Sequence, residues 1–209
     1  MASVLVGCGK HYPQSETVPV ITNNEEHNRY YKQAGELVVP YFRLSDNRGK
    51  PSNTRKAQAD LRRGIALYTA VLNYAPSNWN ACWLMGKAYQ SLEEPTNACE
   101  AFGKAYALQK DHPDVAREYM FECLKLGRTS EAITAAEHAL SLEPRNAGLV
   151  ANLALAYTVA ARTSEALAKV EESLSIDPND KVTLALRRMI REIAEGKRPQ
   201  PKTYLDLSR

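Results

Sequence analysis

The chain has 209 residues, of which 44% are hydrophobic and 24% are charged, a balance that favours a folded core and excludes an intrinsically disordered chain. The formal net charge of +3 is unevenly spread: residues 1–63 carry +4, residues 64–180 carry −6 and residues 181–209 carry +5. The basic ends could contact an acidic partner, lipid headgroups or nucleic acid, but we favour the plainer interpretation as solvated helix surface.

The first 52 residues do not share the pattern found further along the chain. At their start, Leu5-Val6-Gly7-Cys8 resembles the lipobox of bacterial lipoproteins, in which the cysteine is lipidated after signal cleavage. Only a few apolar residues and no basic residue precede Cys8, so this stretch is not a complete signal peptide. Two alternatives stay open: a start further upstream with lipidation at Cys8, or a chance match.

A first helix is predicted near residue 24. Asn23 or Asn24, followed by two glutamates, is typical of a helix start, and apolar residues then recur at helical spacing until Pro40. We expect this helix to act as an N-terminal cap. Residues 46–53 are rich in Gly, Pro and Ser and predict a linker, and residues 53–72 predict the next helix.

From this second helix onward the chain repeats itself with a period of about 34 residues. The letters RTSEA occur at 128–132 and again at 162–166. A small residue recurs at the same position of every unit: Gly64, Ala98, Ala132 and Ala166. Mostly apolar residues follow four positions later (Tyr68, Phe102, Ala136 and Val170) and seven positions later (Val71, Ala105, Ala139 and Ser173). Pro76, Pro144 and Pro178 end three units, and in the remaining one Pro113 is displaced by a few residues.

A second ladder marks the first helix of each unit. Its members are Cys82, Met85, Gly86 and Tyr89; Ala116, Tyr119, Met120 and Cys123; and Val150, Leu153, Ala154 and Tyr157. Together the two ladders resemble the tetratricopeptide repeat (TPR), although Met120 stands where Gly or Ala is usual. The resemblance covers residues 79–180 and implies an all-α fold: a right-handed superhelical solenoid of antiparallel helix pairs with capping helices.

Three parts of the chain are expected. Residues 1–52 are a non-repeat segment with a capping helix, residues 53–195 are the solenoid, and residues 196–209 are a Pro-rich tail. The solenoid divides into a partial repeat at 53–78, repeats at 79–112, 113–146 and 147–180, and a capping helix at 181–195. The predicted repeat helices span 80–91, 95–108, 113–126, 130–141, 147–160 and 164–175. For the tail we favour disorder; the alternative is an extended segment that docks through Tyr204, Leu205 and Leu207.

The resemblance also implies where a partner would bind, because the first helices of stacked hairpins line a concave face. The implied groove residues are Asn80, Trp83, Lys87, Gln90, Asp114, Arg117, Phe121, Lys125, Asn152 and Leu155. Trp83, Phe121 and Leu155 would form an apolar stripe flanked by Lys87, Arg117 and Lys125. Such a stripe suits an amphipathic helix or an extended peptide with acidic flanks. Alternatively, Trp83 and Phe121 pack against the N-terminal region or the capping helix.

One frequent cargo of the family is disfavoured. TPR domains that hold chaperone tails use Lys, Asn and Arg at fixed groove positions. At the matching places this chain has Trp83, Lys87, Glu118, Gly148 and Asn152. We therefore do not expect an adaptor for chaperone tails.

The sequence offers no motif for catalysis, cofactor binding or metal binding. Its four cysteines form no CxxC pair and its four histidines are scattered. The basic stretch near the C-terminus lacks interleaved aromatic residues, so nucleic acid is not an expected partner. No segment has the roughly 20 apolar residues of a membrane span.

We expect a non-catalytic scaffold that binds a peptide or helix of another protein, such as an adaptor, an assembly factor or a toxin-neutralising partner, in the cytoplasm. The alternative is a periplasmic outer-membrane lipoprotein scaffold for envelope or pilus assembly, attached to the membrane only through a lipid at Cys8.

Overall fold

The computed structural model describes residues 17–42, 49 and 51–208, and within them it is a stack of helix pairs with no strand. The helices are α1 (Asn24–Val38), α2 (Arg55–Tyr74), α3 (Trp79–Ser91), α4 (Pro95–Leu108), α5 (Pro113–Lys125), α6 (Thr129–Leu142), α7 (Ala147–Val159), α8 (Thr163–Ile176) and α9 (Lys181–Ala194). Short 3-10 helices follow at Val39–Tyr41 and Tyr204–Ser208. The predicted helix bounds agree with these to within two residues, which confirms the all-α solenoid. The lipobox-like Leu5–Cys8 lies outside the described residues.

Consecutive helices pack as hairpins, with α1 against α2, α3 against α4, α5 against α6 and α7 against α8. The predicted N-terminal cap is α1, which pairs with α2 as the helices of the later hairpins pair with each other. First helices of neighbouring hairpins also touch, as α5 does with α7 and α1 with α3. This contact places the first helices together along one face of the stack. None of the described helices is long and apolar enough to cross a membrane.

Each full hairpin turns at a residue with positive φ, and these residues are one repeat period apart. They are Glu93 (φ 58°), Gly127 (φ 70°) and Ala161 (φ 59°). The next N–H bonds back across the turn, as in Arg128 N–H to the Cys123 carbonyl at 2.9 Å and Arg162 N–H to the Tyr157 carbonyl at 2.9 Å. Such bonds close the end of a helix with a left-handed residue. Only the middle hairpin uses the glycine that favours this conformation.

Polar side chains cap the first helices at the same period. Asn78 accepts a hydrogen bond from Ala81 N–H, Asn146 from Leu149 N–H, and Asp180 from the N–H groups of Val182 and Thr183. The second unit has His112 at this position without a side-chain cap bond, and Pro113 begins the helix instead. Proline suits this place because the first helical N–H has no partner within the helix.

The small-residue ladder lies in the core, as expected. Ala98, Ala132 and Ala166 are fully buried. A Cβ atom added to Gly64 would lie 2.2 Å from Val38 Cγ1, and one added to Gly86 would lie 2.8 Å from the Phe102 ring. These glycines permit α1 to approach α2 and α3 to approach α4 more closely than any side chain would allow.

The C-terminal tail is docked on the solenoid. Gln200 Nε2 donates a hydrogen bond to the Thr158 carbonyl at 2.7 Å, and Tyr204 and Leu207 pack against the hydrophobic core around α5 to α9. The favoured expectation of a disordered tail is therefore wrong. The docking alternative holds for Tyr204 and Leu207, whereas Leu205 is 52% exposed.

Candidate partner-binding groove

A cavity of about 1180 Å³ lies where α3 and α5 meet the two ends of the chain. We call it the groove cavity; it is lined by Tyr41, Gly49, Pro51, Ser52, Lys87, Gln90, Ser91, Glu93, Glu94, Pro95, Glu122, Lys125 and Leu205. Four of these residues precede α2, and we call them the N-terminal wall: Tyr41, Gly49, Pro51 and Ser52. The others come from the C-terminal ends of α3 and α5, the α3–α4 turn and the start of α4, and the tail. Its volume lies somewhat above the roughly 300–1,000 Å³ of small-molecule pockets, and most of its lining residues are polar or charged.

The N-terminal wall is held by hydrogen bonds to two helices. Tyr41 Oη donates to Asp60 Oδ2 of α2 at 2.6 Å, and Ser91 Oγ of α3 donates to the Tyr41 carbonyl at 3.3 Å. The bond to Asp60 raises the pKa of Tyr41, while Lys56 and Tyr41 lower the pKa of Asp60. Both shifts favour the arrangement in which the phenol is the donor and the carboxylate the acceptor.

The floor of the groove cavity is a polar cluster between α3 and α5. Gln90 Nε2 donates to Glu118 Oε2 at 2.9 Å and to Glu122 Oε1 at 2.7 Å. Lys87 Nζ lies 3.3 Å from Glu118 Oε1, and Lys125 Nζ lies 2.6 Å from Glu122 Oε1. The cluster thus ties two first helices together: Gln90 bridges two glutamates, and each glutamate also pairs with a lysine.

Three of the sequence-predicted groove residues, Lys87, Gln90 and Lys125, line the groove cavity. Asn80, Trp83, Asp114, Arg117, Phe121, Asn152 and Leu155 do not. Asn80, Asp114 and Asn152 are partly buried.

The aromatic and aliphatic members of the expected stripe belong to different clusters. Phe121 and Leu155 pack against the hydrophobic cluster of α4 to α9, whereas Trp83 packs against the clusters of α1 to α5. The ring of Tyr204 covers Phe121, with centroids 5.7 Å apart. The alternative expectation is that Trp83 and Phe121 pack against the N-terminal region or the capping helix. The cluster of Trp83 includes Ala34, Val38 and Phe42 of the N-terminal region, whereas the ring that covers Phe121 belongs to the tail.

The three expected basic flanks are all paired with carboxylates. Lys87 pairs with Glu118, Lys125 pairs with Glu122, and Arg117 Nη1 lies 2.7 Å from Asp114 Oδ1. Their charges are thus neutralised within the chain, which removes the argument for a partner with acidic flanks.

Sequence reasoning missed Glu122, the most buried charged residue at this site. It has no exposed surface, and residues one period before and after it, Ala88 and Ala156, are buried alanines. A charged residue at a buried alanine position of a repeat is a departure that the alignment of the units could have revealed. Glu118 was noted only as a residue that breaks the chaperone-tail pattern.

Two thiols lie beneath the cluster, between α4 and α5. Cys99 Sγ and Cys123 Sγ are 3.6 Å apart and Arg128 Nη1 is 3.8 Å from Cys99 Sγ. The hydrogen bond from Cys123, helped by Arg128, lowers the pKa of Cys99. Both cysteines are almost completely buried, so neither thiol is presented to a substrate. The described residues contain no group of His, Cys, Asp and Glu suited to a metal ion.

Comparison with known proteins agrees with the helical stack. Residues 80–146 match the model of the family described as YpiA-like, C-terminal tetratricopeptide repeats. This segment of the chain thus consists of tetratricopeptide repeats. No curated protein sequence matches the chain.

Several solved TPR structures share its fold. The crystal structure of MamA is 18% identical, covers 83% of this chain and 90% of its own, and has a TM-score of 0.61. YrrB, described as a TPR protein with an unusual peptide-binding site, is 15% identical, covers 79% and 76%, and has a TM-score of 0.62. The first TPR of Spaghetti (RPAP3), bound to the HSP90 peptide SRMEEVD, is 15% identical, covers 56% and 93%, and has a TM-score of 0.51. At these identities the likeness concerns the fold.

Proposed function

We propose that this TPR protein is a non-catalytic scaffold that binds an extended segment of a partner protein in the groove cavity. The observation that carries the proposal is the occupation of the neighbouring surface by the chain's own tail. That segment lies against α5 through Tyr204 and Leu207 and bonds to the end of α7 through Gln200. The first-helix face thus already accommodates a polypeptide segment, part of it a 3-10 helix, through apolar side chains and a hydrogen bond from a side chain to a backbone carbonyl.

The groove cavity continues this surface toward α3. Leu205, in the docked tail, is one of its lining residues, so a partner segment in the cavity would lie end to end with the tail. The cavity offers polar groups from α3 and α5 and backbone from the N-terminal wall. These groups suit hydrogen bonding to a peptide backbone, and nothing in the lining resembles a nucleophile with its base.

Peptide binding by related folds supports the proposal. YrrB is described as having a peptide-binding site, and the TPR of Spaghetti was solved with an HSP90 peptide. The HSP90 peptide, SRMEEVD, carries three acidic residues. Such a peptide is not the expected ligand here, because the lysines of the groove cavity are already paired with Glu118 and Glu122.

Site-specific photo-crosslinking tests the proposal. A photoreactive amino acid replaces Ser91, which lines the groove cavity, or Lys104, which is exposed on α4 outside it. We expect the Ser91 probe to crosslink in the source cell to one short segment of a partner, mapped by mass spectrometry, and the Lys104 probe not to reach that segment. Identical products from both positions, or none from Ser91, would remove the groove cavity from the account.

A further inference from the structure

The carboxylate of Glu122 has one satisfied and one unsatisfied oxygen. Oε1 accepts hydrogen bonds from Gln90 Nε2 at 2.7 Å and from Lys125 Nζ at 2.6 Å. Oε2 is buried and has no hydrogen-bond partner among the described residues, although the side chain lines the groove cavity. Both neighbouring donors therefore bond to one oxygen, and the other is left without a partner among the described residues.

This arrangement is not required by the solenoid. The equivalent positions in the neighbouring hairpins are the buried alanines Ala88 and Ala156, which pack without any polar group. A buried carboxylate with an unpaired oxygen costs stability. A binding role explains why such a residue occupies an alanine position, because an incoming donor would satisfy Oε2.

The charged residues around Glu122 determine which charge the incoming donor group should carry. The cavity is lined by two lysines and three glutamates, Lys87, Lys125, Glu93, Glu94 and Glu122. Both lysines are engaged with Glu118 and Glu122, and Arg62 pairs with Glu94. Glu93, on the rim, is exposed and forms no ion pair among the described residues. An anionic group would meet these carboxylates, whereas a cationic donor would complement them.

We propose that Glu122 Oε2 is the recognition point for a cationic nitrogen of the bound segment, supplied by a Lys or Arg side chain or by a free amino terminus. The inference rests on the proposed function, because it takes the groove cavity as the peptide site. It replaces the expected acidic-flanked peptide with a basic one. The cationic N–H donates to Oε2 in a charge-assisted hydrogen bond, and Gln90 holds the carboxylate in place through Oε1.

A set of randomised octapeptides tests this assignment on the full chain. The peptides are acetylated and amidated, and one position is fixed as Arg, Lys, Glu, norleucine or Ala; a second set has free amino termini. Binding is measured by fluorescence polarisation. We expect Arg or Lys pools to bind roughly 10-fold more tightly than norleucine pools. A gain confined to free amino termini would assign the cation to the terminus and equally support the proposal.

Two substitutions link the preference to Glu122. In Glu122→Gln the ratio between cationic and norleucine pools should fall close to one, whereas in Glu100→Gln, which alters an exposed carboxylate of α4 outside the cavity, it should stay unchanged. Lys125→Met, at a partly exposed side chain, keeps Glu122 and removes a competing ammonium, so it should raise the ratio. This variant decides the matter if Glu122→Gln fails to fold.

The outcomes separate the two proposals. Equal binding of all pools, a preference for Glu pools, or an unchanged ratio in a folded Glu122→Gln variant would overturn the cation assignment and leave peptide binding standing. If no pool bound to the wild-type chain, both proposals would fall together.

Discussion

The ring of Tyr204 packs edge-on against the ring of Phe121, with centroids 5.7 Å apart and an interplanar angle of 75°. This contact joins the C-terminal segment to α5. Two hydrogen bonds join residues within the C-terminal segment. Arg198 Nη2 donates to the Leu207 carbonyl at 2.7 Å, and Asp206 Oδ2 accepts from Thr203 N–H at 2.9 Å. The tail is thus a small folded unit that presents Tyr204 to the solenoid.

Replacing Tyr204 with Ala should release this unit. The aromatic pair contributes about 1 kcal/mol beyond the area it buries, which is large for a short segment. We expect trypsin to cleave after Lys202 much faster in Tyr204→Ala than in the wild type, as followed by mass spectrometry. Leu205→Ala, which alters a half-exposed side chain of the same unit, should leave the rate nearly unchanged. Equal rates for wild type and Tyr204→Ala would mean that the ring contact does not hold the tail.

The helix-end geometry predicts opposite effects for two substitutions one repeat apart. Ala161 has φ 59° and Gly127 has φ 70°. Ala161→Gly should raise the free energy of unfolding by about 0.5–1 kcal/mol, and Gly127→Ala should lower it by about 1 kcal/mol, because L side chains are strained at positive φ. A Cβ on Gly127 would also lie 3.3 Å from the Lys202 carbonyl oxygen. Urea titrations measure both changes.

Ala160→Gly is the matched control for Ala161→Gly. Ala160 has φ −76°, where alanine is unstrained, so glycine there should lower the free energy of unfolding. If Ala160→Gly and Ala161→Gly changed stability in the same direction, the positive φ of Ala161 would not be the cause.

The close approach of α1 to α2 predicts contrasting effects of two Gly→Ala substitutions. A Cβ on Gly64 would lie 2.2 Å from Val38 Cγ1 and 3.3 Å from the Ala34 carbonyl oxygen, whereas a Cβ on Gly35 would make an ordinary 3.6 Å contact with Tyr68 Oη. Gly64→Ala should therefore destabilise the fold by roughly 1–3 kcal/mol. Gly35→Ala should stabilise it by up to about 1 kcal/mol through helix propensity. Thermal unfolding followed by circular dichroism distinguishes them; a neutral Gly64→Ala would show that α1 can shift away.

Local sequence signals were enough to predict the helices. Capping residues such as Asn78, Asn146 and Asp180, and prolines at helix starts such as Pro95 and Pro113, mark their ends directly. The repeat period then set the pairing of the helices. These features depend on neighbours in sequence, so they can be read without the fold.

The contents of the groove cavity could not be read in the same way. Lys87 and Lys125 are among the expected groove residues and line the groove cavity, but their pairing with Glu118 and Glu122 depends on how the long side chains of two helices meet. The Pro-rich composition of the tail predicts disorder, whereas the tail is docked on the solenoid. What holds it is the contact of Tyr204 with Phe121, more than 80 residues earlier, and no local pattern encodes such a contact.

The cap of α9 predicts a pH dependence of the C-terminal end of the solenoid. Asp180 Oδ2 accepts from the Thr183 hydroxyl and from Thr183 N–H at 3.0 Å, and Oδ1 accepts from Val182 N–H at 3.3 Å. These bonds, led by that from the Thr183 hydroxyl, lower the pKa of Asp180 from its ordinary value of 3.8. A lowered native pKa means that the cap stabilises α9 fully above pH 3.8 and loses this effect as the pH falls through the native value.

Amide hydrogen exchange of α9, measured between neutral pH and about one unit below that ordinary pKa, tests this dependence. Asp180→Asn retains a good cap that does not titrate, so its protection should match the wild type at neutral pH and stay constant, relative to the rest of the chain, on acidification. Asp180→Ala should lose protection at every pH, by about 1 kcal/mol at neutral pH. Because α9 covers the last hydrophobic face through Leu186 and Ile190, loosening it should also weaken the protection of α8. If the wild type and Asp180→Asn lost protection in parallel on acidification, another group would control the end of the solenoid.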